Sequence, residues 1–254
     1  NAELFLGEAA AGHPLYVFEY TATPRLLRIC IPGFIMLTGY LFYRGFDMGQ
    51  LREKWARRVK SLLVPYLFWN AAYYAGYVAA SRIGALRAVI NRPVLAVTLS
   101  GFLQAVLHYS FNPVFWFMYQ IILLVALAPV LYLILKNVWT GLAFFCFVLI
   151  RIYQQRQFPG LNPDAVLYYS AAAFAALHGR RLVEAPWNGR RAGAGLLLIG
   201  IGMMLGHFYY TSGQVVAIVL CQLLVPAGAW LLVPERILGR VRPFMTCTFF
   251  IYAF

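Results

Sequence analysis

Charge is what this sequence has least of. Only 11% of its 254 residues are charged, and just 8 are Asp or Glu, where an ordinary soluble domain carries roughly 25% charged residues. A soluble fold of this length needs more charge to cover its surface, so that class is excluded. No carboxylate falls in the middle of an apolar stretch: Glu3, Glu8, Glu19, Asp47, Glu53, Asp164, Glu184 and Glu235 all lie in loops or at stretch ends. Ion- and proton-coupled transporters usually need an ionisable group at mid-membrane depth, so its absence counts against them. The 4 cysteines, Cys30, Cys146, Cys221 and Cys247, have neither metal-ligand nor redox spacing. Each sits in an apolar stretch, where a thiol packs as a small hydrophobe. Strand-like alternation, a nucleophile elbow and a phosphate-cradling glycine loop are also missing. The opening NAELFLGEAAAGHP has no initiator Met and no basic leader, so it reads as the interior of a longer sequence.

What is present is apolar length: 62% of residues are hydrophobic, against roughly 45–50% in soluble domains. Crossing the hydrocarbon core takes about 20 apolar helical residues. Seven stretches qualify: Leu26 to Tyr43, Ser61 to Ala80, Val114 to Leu135, Val138 to Tyr153, Asp164 to Val183, Ala192 to Tyr210, and Val215 to Val233. The third is the clearest and the fourth is short. An eighth begins at Phe244 and is cut off at Phe254. The weaker segment from Val94 to Leu107 reads as a re-entrant or interfacial helix. The expected fold is all-α, a polytopic transmembrane helix bundle of seven full spans plus a truncated eighth. It forms a single domain over 1–254, incomplete at both ends.

Orientation follows from Lys and Arg in the short loops. Arg44, Arg52, Lys54, Arg57, Arg58 and Lys60 crowd the first loop. Placing it inside puts fourteen of the 21 basic residues inside and seven outside. Basic loops against anionic headgroups account for the net charge of +13 without nucleic acid. Tyr109, Trp116, Tyr153, Tyr168, Tyr209 and Tyr210 lie near span ends, where interfacial anchoring is the default role for most of them.

Candidate chemistry is sparse. His13, His108, His178 and His207 lie in the outer tail or near helix ends, where a lone His is more often a satisfied polar residue than an acid or base. No pair has metal-ligand spacing, and no metal or bound cofactor is expected. Arg28 lies one turn into the first span, ahead of Pro32 and Gly33. It is either a snorkelling interfacial residue or a charge held toward an outer cavity, and both readings stand.

RICIPGFIMLTGYLFY, from Arg28 to Tyr43, resembles the second transmembrane helix of the acyltransferase-3 family, with Thr38 replacing the usual Ser before Gly39 and Gly33 standing where a bulkier residue is commoner. WARRVKSLLVPYLFWN is similar to the family's basic inner loop and Pro-Tyr helix through Arg58, Lys60, Pro65, Tyr66 and Trp69. NPVFWFMYQIILLVALAPVLYLIL resembles its Trp-Phe helix through Trp116, Phe117 and Pro129. ALHGRRL around Gly179 is similar to the family's Phe-x-x-Gly helix end, and the final FFIYAF resembles its Ile-Tyr helix.

The resemblance implies transfer of an acyl group, commonly acetyl, from acyl-CoA as donor substrate to a hydroxyl of a carbohydrate or lipid-linked glycan acceptor. The expected setting is a multi-pass protein of the cell membrane, the cytoplasmic membrane of a bacterium, with the lipid bilayer as its other partner. Arg28, Arg57, Arg58, Lys60, Tyr66, Trp69 and Trp116 are the implied substrate- or acyl-CoA-binding residues. The family's catalytic His lies in its first helix, expected upstream of Asn1, and His13 is no substitute because no apolar span precedes it. A transporter or flippase for lipid-linked sugars is the competing reading. It explains the spans and aromatics but not the ordered motifs. A structural membrane subunit also stays open.

The charge bias makes a topological prediction. A cysteine introduced between Arg44 and Lys60 is expected to resist an impermeant thiol reagent added to intact cells, while one at Gln155 reacts. Labelling of the Arg44–Lys60 segment from outside overturns the orientation.

Overall fold

The structure, a computed structural model, describes residues 29–84, 86 and 97–233. Among them every regular element is helical, beside one isolated bridge between Phe158 and Leu161. The helices are α1 (Cys30–Tyr43), α2 (Leu51–Arg58), α3 (Val64–Ser81), α4 (Leu99–His108), α5 (Trp116–Ala126), α6 (Ala128–Leu135), α7 (Val138–Tyr153), α8 (Pro163–His178), α9 (Arg180–Val183), α10 (Gly189–Ser212) and α11 (Val215–Leu232). Helix α10 and helix α11 are each long and apolar enough to cross a membrane. Counting α4 with Pro113–Ala126, and α6 with α7, as one bent span each raises the number to four. The chain divides into two compact units, residues 1–45 with 134–239 and residues 46–133 with 240–254.

Several element ends follow local chemistry. Asn137, Asn162 and Asn188 cap α7, α8 and α10 by accepting from the backbone N–H groups of Trp139, Asp164 and Arg191, the usual remedy for orphan donors at a helix start. Asp164 lies in the first turn of α8, where a carboxylate opposes the positive end of the helix dipole. The bounds of α7 coincide with the expected fourth stretch.

In the first unit, glycines set the distances. Helix α10 packs extensively on α11. A Cβ at Gly195 would lie 2.8 Å from the carbonyl oxygen of Gly228, and one at Gly228 would lie 2.6 Å from that of Gly195. The two backbones therefore touch, the close approach that small residues permit between membrane helices. Gly202 and Gly206 accept Val225 and Cys221 in the same seam. Helix α1 lies on α8, and a Cβ at Gly39 would fall 2.6 Å from the carbonyl oxygen of Tyr169. Cys221 is buried in the α10–α11 seam, whereas Cys30 and Cys146 are exposed. Tyr168 is a core residue at 3% exposure and donates to Gln222 Oε1 at 2.7 Å, so its expected anchoring role is corrected.

In the second unit the helix runs from Leu51 to Ser81 through a π turn at Val59–Leu63. Pro65, two residues after the turn, has no N–H to extend an ordinary α ladder. The third expected stretch needs correction. Val114 to Leu135 is not one helix but α5 and α6, separated at Leu127. Pro129 cannot donate to the carbonyl of Val125, four residues back, and the ladder opens there. The expected fifth stretch also ends early: α8 stops at His178, and Gly179 divides it from α9.

The contact at Gly39 is testable against Gly76, around whose Cβ position there is open space. Gly39→Ala is expected to destabilise by about 1–3 kcal/mol through overpacking. Gly76→Ala is expected to stabilise by about 0.5–1 kcal/mol through helix propensity. Thermal unfolding of the detergent-solubilised protein reads both, and equal midpoints would refute the close contact.

Candidate functional site

Two clusters carry the polar chemistry of the described residues, one in each unit.

In the first unit, one carboxylate gathers three donors. Glu184 Oε1 accepts from Tyr40 Oη at 2.9 Å and from Arg44 Nε at 2.5 Å, and Oε2 accepts from Arg180 Nε at 3.1 Å. Tyr40 ends the Thr-Gly-Tyr run of α1, and each member of that run has a separate task. The hydroxyl of Thr38 donates back to the Phe34 carbonyl at 2.9 Å. Gly39 lets α8 approach, and Tyr40 carries the bond to Glu184. Arg44, above all, holds the Glu184 carboxyl down to about 2 against the opposing effect of desolvation, with Tyr40 and Arg180 adding to the lowering. Glu184 in turn raises the pKa of Arg44. The segment that follows is tied down by backbone contacts. Arg191 donates to the carbonyls of Ala185 and Val183, and the indole N–H groups of Trp187 and Trp230 donate to Leu232 and Val183 at 3.2 and 3.4 Å. His178, on the same helix end, bonds to the Leu135 carbonyl at 2.8 Å.

In the second unit, the basic helix α2 is held to the membrane helices by Trp55. Its indole N–H donates to the carbonyl of Val125 at 2.8 Å, an acceptor that Pro129, four residues on, cannot serve. Of the implied acyl-CoA residues, Arg57 is paired with Glu53 one turn earlier. Arg58 is half-buried and has no ion pair among the described residues, and Lys60 is exposed on the π turn. Lys54 Nζ lies 5.3 Å from the centre of the Phe46 ring. Burial first, then Arg57 and Arg58, lowers its pKa.

Tyr66 is buried on α3. Its hydroxyl donates to Leu107 at 3.2 Å, and its ring stacks on Phe115 with centres 6.1 Å apart. Trp69 is half-buried with its ring edge-on to Phe68, and Trp116 is half-buried at the start of α5. Arg57, Arg58 and Lys60 therefore share the α2–π segment, and Tyr66 and Trp69 the following helix. Arg28, His13 and the final FFIYAF lie outside the described residues. The sequence alone did not single out Trp55 or the Tyr40–Glu184 bond. The first looks like an ordinary interfacial tryptophan, and the second joins residues 144 positions apart. No group of three or more His, Cys, Asp or Glu side chains that could hold a metal ion occurs among the described residues.

A helical membrane domain with apolar spans and a basic amphipathic segment is the class these features define. Residues 6–254 match the family model of the acyltransferase domain called acyltransferase-3. The chain belongs to the acyltransferase-3 family. No curated protein and no solved structure matches it.

The Glu184 cluster sets a pH dependence. Its carboxyl titrates near 4.5 when unfolded and at about 2 in the folded protein, so folding gains from the charged form above the higher value and loses that gain as pH falls toward the lower. Glu184→Gln is expected to lower the thermal midpoint at pH 6–7 and to narrow its gap to wild type as pH approaches 2. A gap independent of pH would rule out the charge as the source.

Proposed function

We propose that this protein transfers an acyl group, acetyl in the first instance, from acyl-CoA to a hydroxyl of a carbohydrate or lipid-linked glycan at the cell membrane of a bacterium, through a bundle of seven or more spans. Membership of the acyltransferase-3 family carries this reading. A thioester is attacked once a general base takes the acceptor's proton. The α2–π segment supplies what a polyanionic donor needs at the cytoplasmic face, and Arg58 is its best placed cation. Its neighbour Arg57 is already engaged by Glu53, while Arg58 is half-buried and has no carboxylate partner among the described residues. Trp55 fixes the pose of this segment, so Arg58 starts from a defined position. Family membership favours transfer over the competing flippase, although the broken helices of the second unit suit either activity.

The full-length protein in detergent tests the donor site. A planar guanidinium meeting a phosphate through paired hydrogen bonds is not reproduced by an ammonium. Arg58→Lys is therefore expected to weaken acyl-CoA binding roughly ten- to hundred-fold, the effect of losing about 1.5–3 kcal/mol. Arg52→Lys is expected to leave it unchanged. Equal affinities in wild type and both variants would leave the segment a positive-inside anchor and remove the donor-site assignment.

A further inference from the structure

Where α1 ends against α9, one carboxylate holds two guanidiniums at the surface. Glu184 accepts from Arg44 at one carboxylate oxygen and from Arg180 at the other, each through Nε, and both arginine side chains are 50% exposed. Two positive charges therefore stand a few bonds apart, with one negative charge between them. Arg181, beside Arg180 on α9, is exposed and has no ion pair among the described residues. Arg191 also adjoins α9, through its guanidinium bonds to the carbonyls of Ala185 and Val183. A Cβ at Gly45 would lie 3.8 Å from Arg180 Nη1, so this cation rests against the turn that closes α1. The excess of positive charge is thus assembled by bonds in one place, within the first unit.

The same patch carries apolar surface. Leu182, the next residue of α9, is 77% exposed, and the rings of Trp187 and Trp230 are exposed as well. Both indoles are held in place by bonds to backbone carbonyls, and that of Trp230 goes to Val183, one residue from Glu184. Trp187 stands just ahead of α10 and Trp230 near the end of α11. The Gly195–Gly228 contact puts those two ends side by side, and each helix is long and apolar enough to cross a membrane. Tryptophans at such ends mark the level of the lipid headgroups. The patch therefore offers guanidinium donors and an apolar wall together at headgroup depth.

We propose that this patch binds one anionic phospholipid, its phosphate on Arg44, Arg180 and Arg181 and its glycerol and acyl chains against Leu182 and Trp230. Charge and shape together select this occupant. A soluble anion satisfies the guanidiniums but makes no use of the leucine and the indole. A zwitterionic lipid covers the apolar wall but brings no net charge to offset the arginines. An anionic lipid does both, and a guanidinium is the side chain best suited to a phosphate. Diffuse attraction of basic loops to headgroups is a different effect, common to any basic loop and fixing no geometry. A built site binds in fixed stoichiometry and depends on particular arginines. It uses residues that the donor-site assignment on α2 does not, and it stands independently of the reaction proposed above.

The probes are dioctanoyl phosphatidylglycerol, dioctanoyl phosphatidylcholine and glycerol 3-phosphate, each titrated into the full-length protein in a neutral detergent. Native mass spectrometry counts what is retained, and the thermal midpoint reads the same binding in solution. Saturable retention of phosphatidylglycerol is expected, with a raised midpoint, and with phosphatidylcholine and glycerol 3-phosphate each weaker by roughly tenfold or more. Arg180→Gln with Arg181→Gln is expected to weaken phosphatidylglycerol by roughly tenfold or more. Arg181→Gln alone breaks no bond of the Glu184 cluster, and a clear loss of affinity is expected from it even if the double variant misfolds. Arg52→Gln with Arg82→Gln removes as much charge elsewhere and is expected to leave the affinity unchanged. Equal retention of the two lipids, or an equal loss in the Arg52 and Arg82 control, makes the attraction diffuse and overturns the proposal. Glycerol 3-phosphate binding as tightly as the lipid makes this a site for soluble anions, and displacement of the lipid by acyl-CoA makes it part of the donor site; either result overturns it too.

Discussion

The constraint on which this structure rests is that a peptide group in lipid has no water to bond. Each interruption of the helical ladder therefore needs a named replacement. Pro129 cannot supply the usual donor four residues on for the Val125 carbonyl, and Trp55 provides one from a different helix. The last carbonyl of α11, at Leu232, and that of α9, at Val183, are met by the indoles of Trp187 and Trp230. Tryptophans that resemble generic interface anchors thus double as caps for the carbonyls that helix ends leave open. Without Trp55, the basic helix would have no polar link to α5 of the kind described here.

Packing obeys a second constraint, since lipid offers apolar side chains no hydrophobic gain on association. Contact must come from close surfaces, and glycine supplies them. The Gly195–Gly228 and Gly39–Tyr169 approaches bring backbones together. They hold α10 to α11 and α1 to α8, and the second places Tyr40 where it meets Glu184. The Thr-Gly-Tyr run is therefore a unit: a hydroxyl bonded within its own helix, a gap for a neighbour, and a phenol bonded to a distant carboxylate.

Much of the helical layout was legible in the sequence. Apolar run length located α7, α10 and α11 closely because nothing within those runs overrides the hydrocarbon-length signal. The same signal failed at Val114 to Leu135. A continuous apolar run says nothing about whether its backbone ladder is intact, and Pro129 breaks it. Among the described residues, α10, α11 and the two bent pairs meet that length, while α8 is 16 residues long and α1 has 14. Of the candidate site, the basic segment and Tyr66 were readable from residue type and order. The Glu184 cluster was not, since it joins the end of α1, at Tyr40 and Arg44, to α9, at Arg180 and Glu184, and the bonds between them span 140 and 144 positions of sequence.

The π turn at Val59–Leu63 has a consequence for phase. Its Val64 N–H bonds to Val59, one residue further back than in an α-helix. Each residue advances an α-helix by about 100°. The single extra residue therefore sets the rotational offset between Trp55, which locks the basic helix, and the stripe of Tyr66, Asn70 and Tyr74, which faces the interior. Deleting one residue there would restore a regular ladder while turning one functional face away from its partners. The segment thus acts as a fixed dihedral coupling between the basic helix and the buried stripe of α3, and its length is as much a part of the sequence's information as its charge.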